Sequence, residues 1–149
     1  MRAAIRLSQQ SMKKNIGPFG CVIVKDGKII ARAHNAVTLF NDPTAHAEVM
    51  AIRKACKKLG SYQLNGCELY SSCEPCPMCL GAIYWARPHK VYFACGRKDA
   101  AAAGFDDDLI YQQLAIEHTN RLIPFETMLR DEALKAFMEW EVKEDKVKY

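Results

Sequence analysis

The sequence reads TAHAE at residues 44–48 and, further along, PCPMC at residues 75–79. Together these stretches give the order H-x-E … P-C-x-x-C. One imidazole and two thiolates supply three corners of a zinc tetrahedron and leave the fourth corner open for water, which is the arrangement of a catalytic zinc site. Glu48, two residues after His46, is the candidate proton carrier beside this set. The predicted ligands of one zinc ion per chain are His46, Cys76 and Cys79.

Both halves of this motif fall at the predicted starts of helices. Side chains in a first helical turn lean back over the helix end, so His46 and Glu48 can both reach toward one ion. Cys76 and Cys79 are three residues apart and therefore share one face of their helix. The positive end of that helix also favours the thiolate form that zinc requires.

Two other interpretations of the cysteine pair remain open. A C-x-x-C pair in a reduced protein also fits a redox pair or half of a structural zinc site. The sequence contains no separate second C-x-x-C and no H-x₃-H, so a closed zinc site would need Cys73 or a distant cysteine. Neither alternative explains the H-x-E stretch, which favours a catalytic zinc.

Length and composition set the broad class of the protein. A chain of 149 residues fits one domain, here residues 1–149. The 21 lysines and arginines exceed the 17 acidic residues by four, which is too mild an excess to predict nucleic-acid binding by itself. No run approaches the roughly 18 apolar residues of a membrane span, and the N-terminus lacks a signal-peptide pattern. We therefore expect a cytoplasmic protein whose remaining cysteines are reduced and largely buried.

The hydrophobic pattern alternates helix and strand, which favours an α/β sheet covered on its faces. Asp26-Gly27 predicts a tight hairpin turn between the first two strands. The fourth strand is expected to be buried. A helix containing the H-x-E stretch is expected to be capped by Asp42 or Thr44 and to end at Gly60. The other predicted helices cover residues 3–14, 76–85, 107–115 and 131–142, and the predicted strands cover residues 21–24, 28–31, 67–70, 90–94 and 122–128.

Four longer segments extend the motif: GPFG at 17–20, NDPTAHAE at 41–48, CEPCPMCLGAIYWARP at 73–88 and AGFDD at 103–107. A chain with these segments resembles the cytidine/deoxycytidylate deaminase superfamily and, nearly end to end, the bacterial guanine deaminases within it. The first three segments do not separate guanine deaminases from tRNA adenosine deaminases, whereas GFDD with an aromatic C-terminus indicates guanine. The resemblance implies a cytidine deaminase-like three-layer α/β/α fold around a mostly five-stranded mixed sheet. It also implies hydrolysis of guanine to xanthine and ammonia.

The resemblance also assigns residues to the substrate. Asp107 is expected to accept hydrogen bonds from the N1 and 2-amino groups of guanine, although carboxylates are also common at a helix N-terminus without any such role. Asn35, whose amide carries both a donor and an acceptor, is expected to bind the polar edge of the ring. Phe19 and Trp85 are expected to stack on the purine or wall it in.

The C-terminal segment from about residue 131 to 149 has two interpretations. A frayed terminus is the default for such a segment. The resemblance implies instead that it crosses to a neighbouring subunit, where Tyr149 closes the partner's site, so that the active enzyme is a domain-swapped homodimer.

Three other functions compete with guanine deamination. The first is a related deaminase of guanosine or another nucleoside, which would need room for a ribose. The second is tRNA adenosine deamination, which needs a basic track for phosphates; residues 131–149 hold six acidic residues against four lysines. The third is a non-catalytic zinc module. The expected partners are a small purine base and a second copy of the chain, without a membrane or nucleic acid.

Overall fold

The computed structural model describes residues 1–105 and 107–148. The chain forms two compact units, Met1–Ile110 and a second unit that begins at Tyr111. Tyr149, which the sequence predicts to close the site, lies outside the described residues. Among the described residues, no helix combines the length and the apolar character needed to cross a bilayer.

The first unit is built on a mixed sheet of four strands in the order β2-β1-β3-β4. β1 pairs antiparallel with both β2 and β3, whereas β3 and β4 are parallel. Asp26 and Gly27 both have positive φ, 49° and 71°, in the two-residue turn between the first two strands. This confirms the hairpin predicted from Asp-Gly, because such a turn needs left-handed residues at both positions. The strands are β1 (Gly20–Lys25), β2 (Lys28–His34), β3 (Cys67–Cys73) and β4 (Lys90–Cys95).

Helices connect and cover these strands, and the last ones belong to the second unit. The helix α6 runs across the boundary between the two units, and a short 3₁₀ turn at His118–Asn120 follows it. The helices are α1 (Arg2–Met12), α2 (Val37–Phe40), α3 (Ala47–Leu59), α4 (Pro77–Ala86), α5 (Arg97–Ala102), α6 (Asp107–Leu114) and α7 (Arg130–Val142).

The two faces of the sheet are covered by different helices. Successive strand residues point to opposite faces, so Cys21 and Ile23 of β1 point one way and Gly20 points the other. Cys21 and Ile23 belong to a buried cluster with residues of α3 and α4, such as Ala51 and Ile83. Gly20 faces α1, so closely that a Cβ there would lie 2.4 Å from a backbone oxygen of α1. The first unit therefore has the predicted three layers.

The prediction of a fifth strand is wrong for the residues that the structure describes. Residues 122–128 form no strand. Pro124 in the middle of this stretch has no N–H to give to a sheet ladder, and Leu122 and Ile123 on its N-terminal side are 71% and 75% exposed. β4 is consequently the edge of the described sheet. Its predicted burial is also wrong, since Phe93 is 50% exposed.

The start of α3 differs from the prediction, whereas its end agrees. α3 begins at Ala47, and its N-cap residue is His46, which makes no side-chain capping bond. Asp42 instead accepts hydrogen bonds from the N–H and the hydroxyl of Thr44, at 2.8 Å and 2.7 Å. The predicted cap therefore stabilises the turn that precedes the helix. Gly60 ends the helix in the left-handed conformation, with φ of 63°, as predicted.

Candidate metal centre and active site

Two helix N-termini meet beside the sheet and bring the motif together. His46 is the N-cap of α3, and Cys76 is the N-cap of α4. Both residues have extended backbone angles, so the chain turns sharply into each helix. Cys79 follows in the first turn of α4 and is fully buried. The sequence expectation that both halves of the motif lie at helix starts is confirmed.

The three predicted ligands fit a tetrahedral zinc ion. Nδ1 of His46 lies 3.5 Å from Sγ of Cys76 and 3.6 Å from Sγ of Cys79. Zn–S bonds of about 2.3 Å and Zn–N bonds of about 2.0–2.1 Å at the tetrahedral angle place nitrogen and sulfur roughly 3.6 Å apart. Among the described residues, this is the one group of three histidine, cysteine or acidic side chains close enough to share an ion. Cys73, the alternative ligand, lies outside the group.

The electrostatics of this group favour a cation. A hydrogen bond from Cys79, helped by His46, lowers the pKa of the Cys76 thiol to about 4. The same bond to Cys76, together with burial, raises the pKa of the Cys79 thiol. The hydrogen bond to Cys76 also raises the pKa of His46. The set therefore holds protons that a metal ion would displace when it binds.

Glu48 lies in the first turn of α3, directly behind the ligands. Its carboxylate is 4% exposed. Oε1 accepts a hydrogen bond of 2.6 Å from the hydroxyl of Ser71, and Oε2 lies 3.4 Å from Sγ of Cys79. Burial raises the pKa of Glu48, and the bond from Ser71 partly offsets that rise. A carboxyl group with a raised pKa, held at fixed distance from the ligand set, is suited to accept and return a proton near neutral pH.

A cavity of about 240 Å³ opens onto this group. His46, Glu48 and Cys76 form one part of its wall, and three of the predicted substrate residues form another. The residues that line it are Gly17, Phe19, Asn35, Val37, Thr38, His46, Glu48, Glu74, Cys76, Phe105 and Asp107.

The predicted substrate residues in this wall offer a carboxylate, an amide and an aromatic ring. Oδ1 of Asn35 accepts a hydrogen bond of 3.0 Å from the N–H of Val37, which fixes the orientation of the amide. Asp107 begins α6. Its negative charge helps raise the pKa of His46, so the carboxylate interacts electrostatically with a metal ligand. The ring of Phe19 meets that of Phe105 edge to face, with centroids 4.7 Å apart.

One predicted substrate residue is not brought to this cavity. Trp85 lies on α4 and is 62% exposed, and it is absent from the residues that line the cavity. Tyr149 lies outside the described residues. The cysteines outside the ligand set are predicted to be reduced and largely buried. They are free thiols, but Cys95 at the end of β4 is exposed and Cys56 is half-buried.

Several residues of the site have no role in the sequence analysis. Ser71 carries no motif that distinguishes it from any other strand serine. Glu74 directly precedes the P-C-x-x-C run, and Phe105 directly precedes the acidic stretch 106–108. Both residues lie in segments that carry the resemblance to the deaminases. Their position in those segments could have identified them as residues of the site. Val37 and Thr38 lie on α2, a helix of four residues that is too short for periodicity to reveal.

Comparison with known proteins agrees with this geometry. The model of the cytidine and deoxycytidylate deaminase zinc-binding region matches residues 1–95. The chain belongs to this family. The matched residues include the whole H-x-E … P-C-x-x-C motif of the deaminase.

Relatives of the deaminase include guanine deaminases and tRNA-specific adenosine deaminases. It is 55% identical to the guanine deaminase of Bacillus subtilis over 150 aligned positions, which cover all of this chain and 96% of the relative. The crystal structure of the Bacillus subtilis guanine deaminase superposes with a TM-score of 0.95 over 99% of this chain and 95% of that one. A tRNA-specific adenosine deaminase of Aquifex aeolicus is 46% identical, but over 63% of this chain and 62% of the relative. The similarity to the guanine deaminase therefore extends to the C-terminal part of the deaminase.

Proposed function

We propose that this deaminase hydrolyses guanine to xanthine and ammonia. The observation that carries the proposal is the cavity in which an acidic side chain, Asp107, faces the same space as His46, Cys76 and Glu48. Guanine presents N–H donors at N1 and at the 2-amino group, and a carboxylate accepts from both. The similarity to a guanine deaminase over the full chain supports the same substrate.

The metal and Glu48 divide the chemistry. His46, Cys76 and Cys79 would hold the zinc ion, which would act as the Lewis acid that makes water a nucleophile at neutral pH. Glu48 takes a proton from the attacking water and passes it to a ring nitrogen as the oxygen adds to C2. It then transfers the second water proton to the exocyclic amine, the C2–N bond breaks, and ammonia leaves. The bond from Ser71 holds the carboxylate in place during both transfers.

Recognition of the ring divides among three kinds of side chain. Asp107 accepts from the donors of guanine. The oxygen of Asn35 is engaged by the N–H of Val37, so its amide nitrogen is the group that donates to a ring acceptor such as O6 or N7. Phe19, held by the edge of Phe105, contacts the ring face.

We further propose that the active form is a homodimer in which the C-terminal segment from about residue 131 crosses to the partner. Three large apolar side chains of the first unit support this: Tyr84 and Trp85 on α4 are 75% and 62% exposed, and Phe93 on β4 is 50% exposed. Contiguous exposed apolar residues mark interaction surfaces, and Tyr84 and Trp85 are adjacent on α4. The partner's Tyr149 would close the site, and Trp85 would contribute to it across the interface. Deletion of Tyr149 should raise KM or lower kcat, and unchanged kinetics would reject the role of Tyr149 in closing the site.

A cytoplasmic location completes the proposal. All seven cysteines are free thiols in the structure. Reduced thiols persist in the cytosol and become oxidised in secreted proteins. Fractionation of cells that produce the protein tests this location directly.

The proposed substrate is tested with the purified, zinc-loaded protein. It is offered guanine, guanosine, cytosine, adenine and a tRNA anticodon stem-loop, with ammonia as the readout. We expect ammonia from guanine and much less from the other four. Faster release from guanosine or from the stem-loop would replace guanine with a nucleoside or a tRNA substrate, and release from none of them would leave a zinc module without this activity.

A further inference from the structure

Two carboxylates meet at the start of α5. Oδ2 of Asp99 accepts a hydrogen bond of 2.8 Å from the N–H of Gly96, and Oε2 of Glu74 accepts one of 2.9 Å from the N–H of Arg97. The first N–H groups of a helix have no partner within the helix. Asp99 belongs to α5 itself, whereas Glu74 reaches α5 from the segment that leads into the metal ligands.

Glu74 therefore joins two parts of the site. Its side chain lines the active-site cavity, and it precedes the ligand Cys76 by two residues. Its backbone N–H donates a hydrogen bond of 2.8 Å to the carbonyl of Cys95, the last residue of β4. The backbone of Glu74 is thus fixed to the sheet, and its carboxylate is fixed to the first N–H of α5.

The far end of α5 leads to the substrate side of the cavity. The N–H of Phe105 donates to the carbonyl of Ala100 at 3.1 Å, which ties the residues after α5 to the helix. Phe105 lines the cavity and meets Phe19 edge to face. Asp107 lies two residues further along the chain and lines the cavity as well. α5 therefore connects the segment that Glu74 holds with two residues of the cavity wall.

We propose that Glu74 is a positioning residue for guanine: by holding the N-terminus of α5, it fixes the distance between the metal-ligand segment and the substrate side chains Phe105 and Asp107. This inference rests on the proposed function. Glu74 acts through Asp107, and its loss weakens substrate binding more than the chemical step.

The hydrogen bond can be removed from either end. Glu74→Ala removes the acceptor, and Glu74→Gln keeps an oxygen that can accept from the same N–H. Arg97→Pro removes the donor without touching the cavity wall. Proline suits the first position of a helix, and Gly96 already has the extended angles, φ of −92° and ψ of 170°, that a residue before proline adopts. Arg97→Ala is the matched control, because it removes the same side chain and keeps the N–H.

A second control separates this role from a general loss of stability. Glu68 lies on β3, and its carboxylate accepts a hydrogen bond of 2.7 Å from the hydroxyl of Tyr70. It does not line the active-site cavity. Glu68→Ala removes a hydrogen-bonded carboxylate of the same type from the same strand region and should leave KM for guanine unchanged.

The experiment measures KM and kcat for guanine, together with zinc content, in these variants and in Glu74→Ala/Asp107→Ala. We expect Glu74→Ala and Arg97→Pro to raise KM about tenfold, the effect of losing one hydrogen bond to a charged group, with zinc content unchanged and kcat altered less than KM. Glu74→Gln and Glu68→Ala should remain close to the wild type, and the KM of Arg97→Pro should exceed that of Arg97→Ala by about the same factor. In the Asp107→Ala background, Glu74→Ala should add little, because coupled residues are not additive.

Unchanged KM in Arg97→Pro, or a full additional effect of Glu74→Ala when Asp107 is already absent, would overturn the inference. Arg97→Pro and its control decide the matter even if Glu74→Ala fails to fold. Wild-type protein that releases no ammonia from guanine would overturn the proposed function first, and this inference with it.

Discussion

The hydroxyl of Ser71 on β3 donates a hydrogen bond of 2.6 Å to Oε1 of Glu48 in the first turn of α3. Both side chains are buried. The other oxygen, Oε2, lies 3.4 Å from Sγ of Cys79, so the strand serine orients the carboxylate toward the ligand set. The proton carrier is thus oriented by the sheet and not only by its own helix.

Ser71→Ala should lower kcat about 10- to 100-fold, because it removes a hydrogen bond to a buried carboxyl group, worth roughly 1.5–3 kcal/mol. Steady-state kinetics with guanine measure this, with zinc content determined in the same samples. Ser61→Ala, which removes an exposed hydroxyl bonded to its own loop, is the control. A Ser71→Ala variant with wild-type kcat would show that Glu48 needs no support from the sheet.

Removal of the metal should abolish activity reversibly. A chelator is expected to strip one zinc ion per chain, and added zinc should restore the activity in proportion to the metal bound. Cys79→Ala should fail to retain zinc, because it removes one of three protein ligands. Cys95→Ala, which removes an exposed thiol outside the ligand group, should retain both zinc and activity. Full activity in the metal-free protein would refute the catalytic role of the ion.

Asp107→Ala should raise KM for guanine by about 10- to 100-fold, since a buried donor of the substrate then loses a charged acceptor. Asp108→Ala is the matched control, because the next residue has the same charge and lies in the same helix turn but does not line the cavity. Equal effects of the two substitutions on KM would favour the alternative that these carboxylates serve only the helix N-terminus.

Gly20→Ala should destabilise the protein by at least about 1–3 kcal/mol, the usual cost of overpacking. A Cβ at Gly20 would lie 2.4 Å from the backbone oxygen of Ala4 and 2.7 Å from the backbone nitrogen of Ser8, so α1 would have to move away from β1. Gly81→Ala is the control, since a Cβ there meets nothing within 4 Å and alanine favours the helix. Denaturant unfolding that finds Gly20→Ala as stable as the wild type would contradict this packing.

The sequence predicted the parts of the structure that depend on local chemistry. The Asp26-Gly27 turn and the Gly60 helix end follow from left-handed backbone conformations that few other residues adopt. The ligand group followed from the spacing of His46, Cys76 and Cys79, because the residue types themselves bind zinc.

The parts that were missed depend on tertiary contacts. Asp42 is the exception, because its bond to the N–H of Thr44, two residues on, is a local Asx turn that competes with the helix cap. Ser71 reaches Glu48 although the two residues lie 23 positions apart in the chain, so only the folded structure reveals the bond. The apolar stretch at residues 122–128 has a strand-like composition, but no neighbouring strand pairs with it among the described residues, and pairing is what defines a strand.

The most direct test of the zinc and Glu48 account compares wild-type protein with Glu48→Ala at equal zinc content, with xanthine formation from guanine as the measurement. We expect one zinc ion per chain in both proteins and a loss of turnover of about 10²- to 10⁴-fold in the variant, the range for a lost proton carrier. Xanthine formed at the wild-type rate by the zinc-loaded variant would contradict the account.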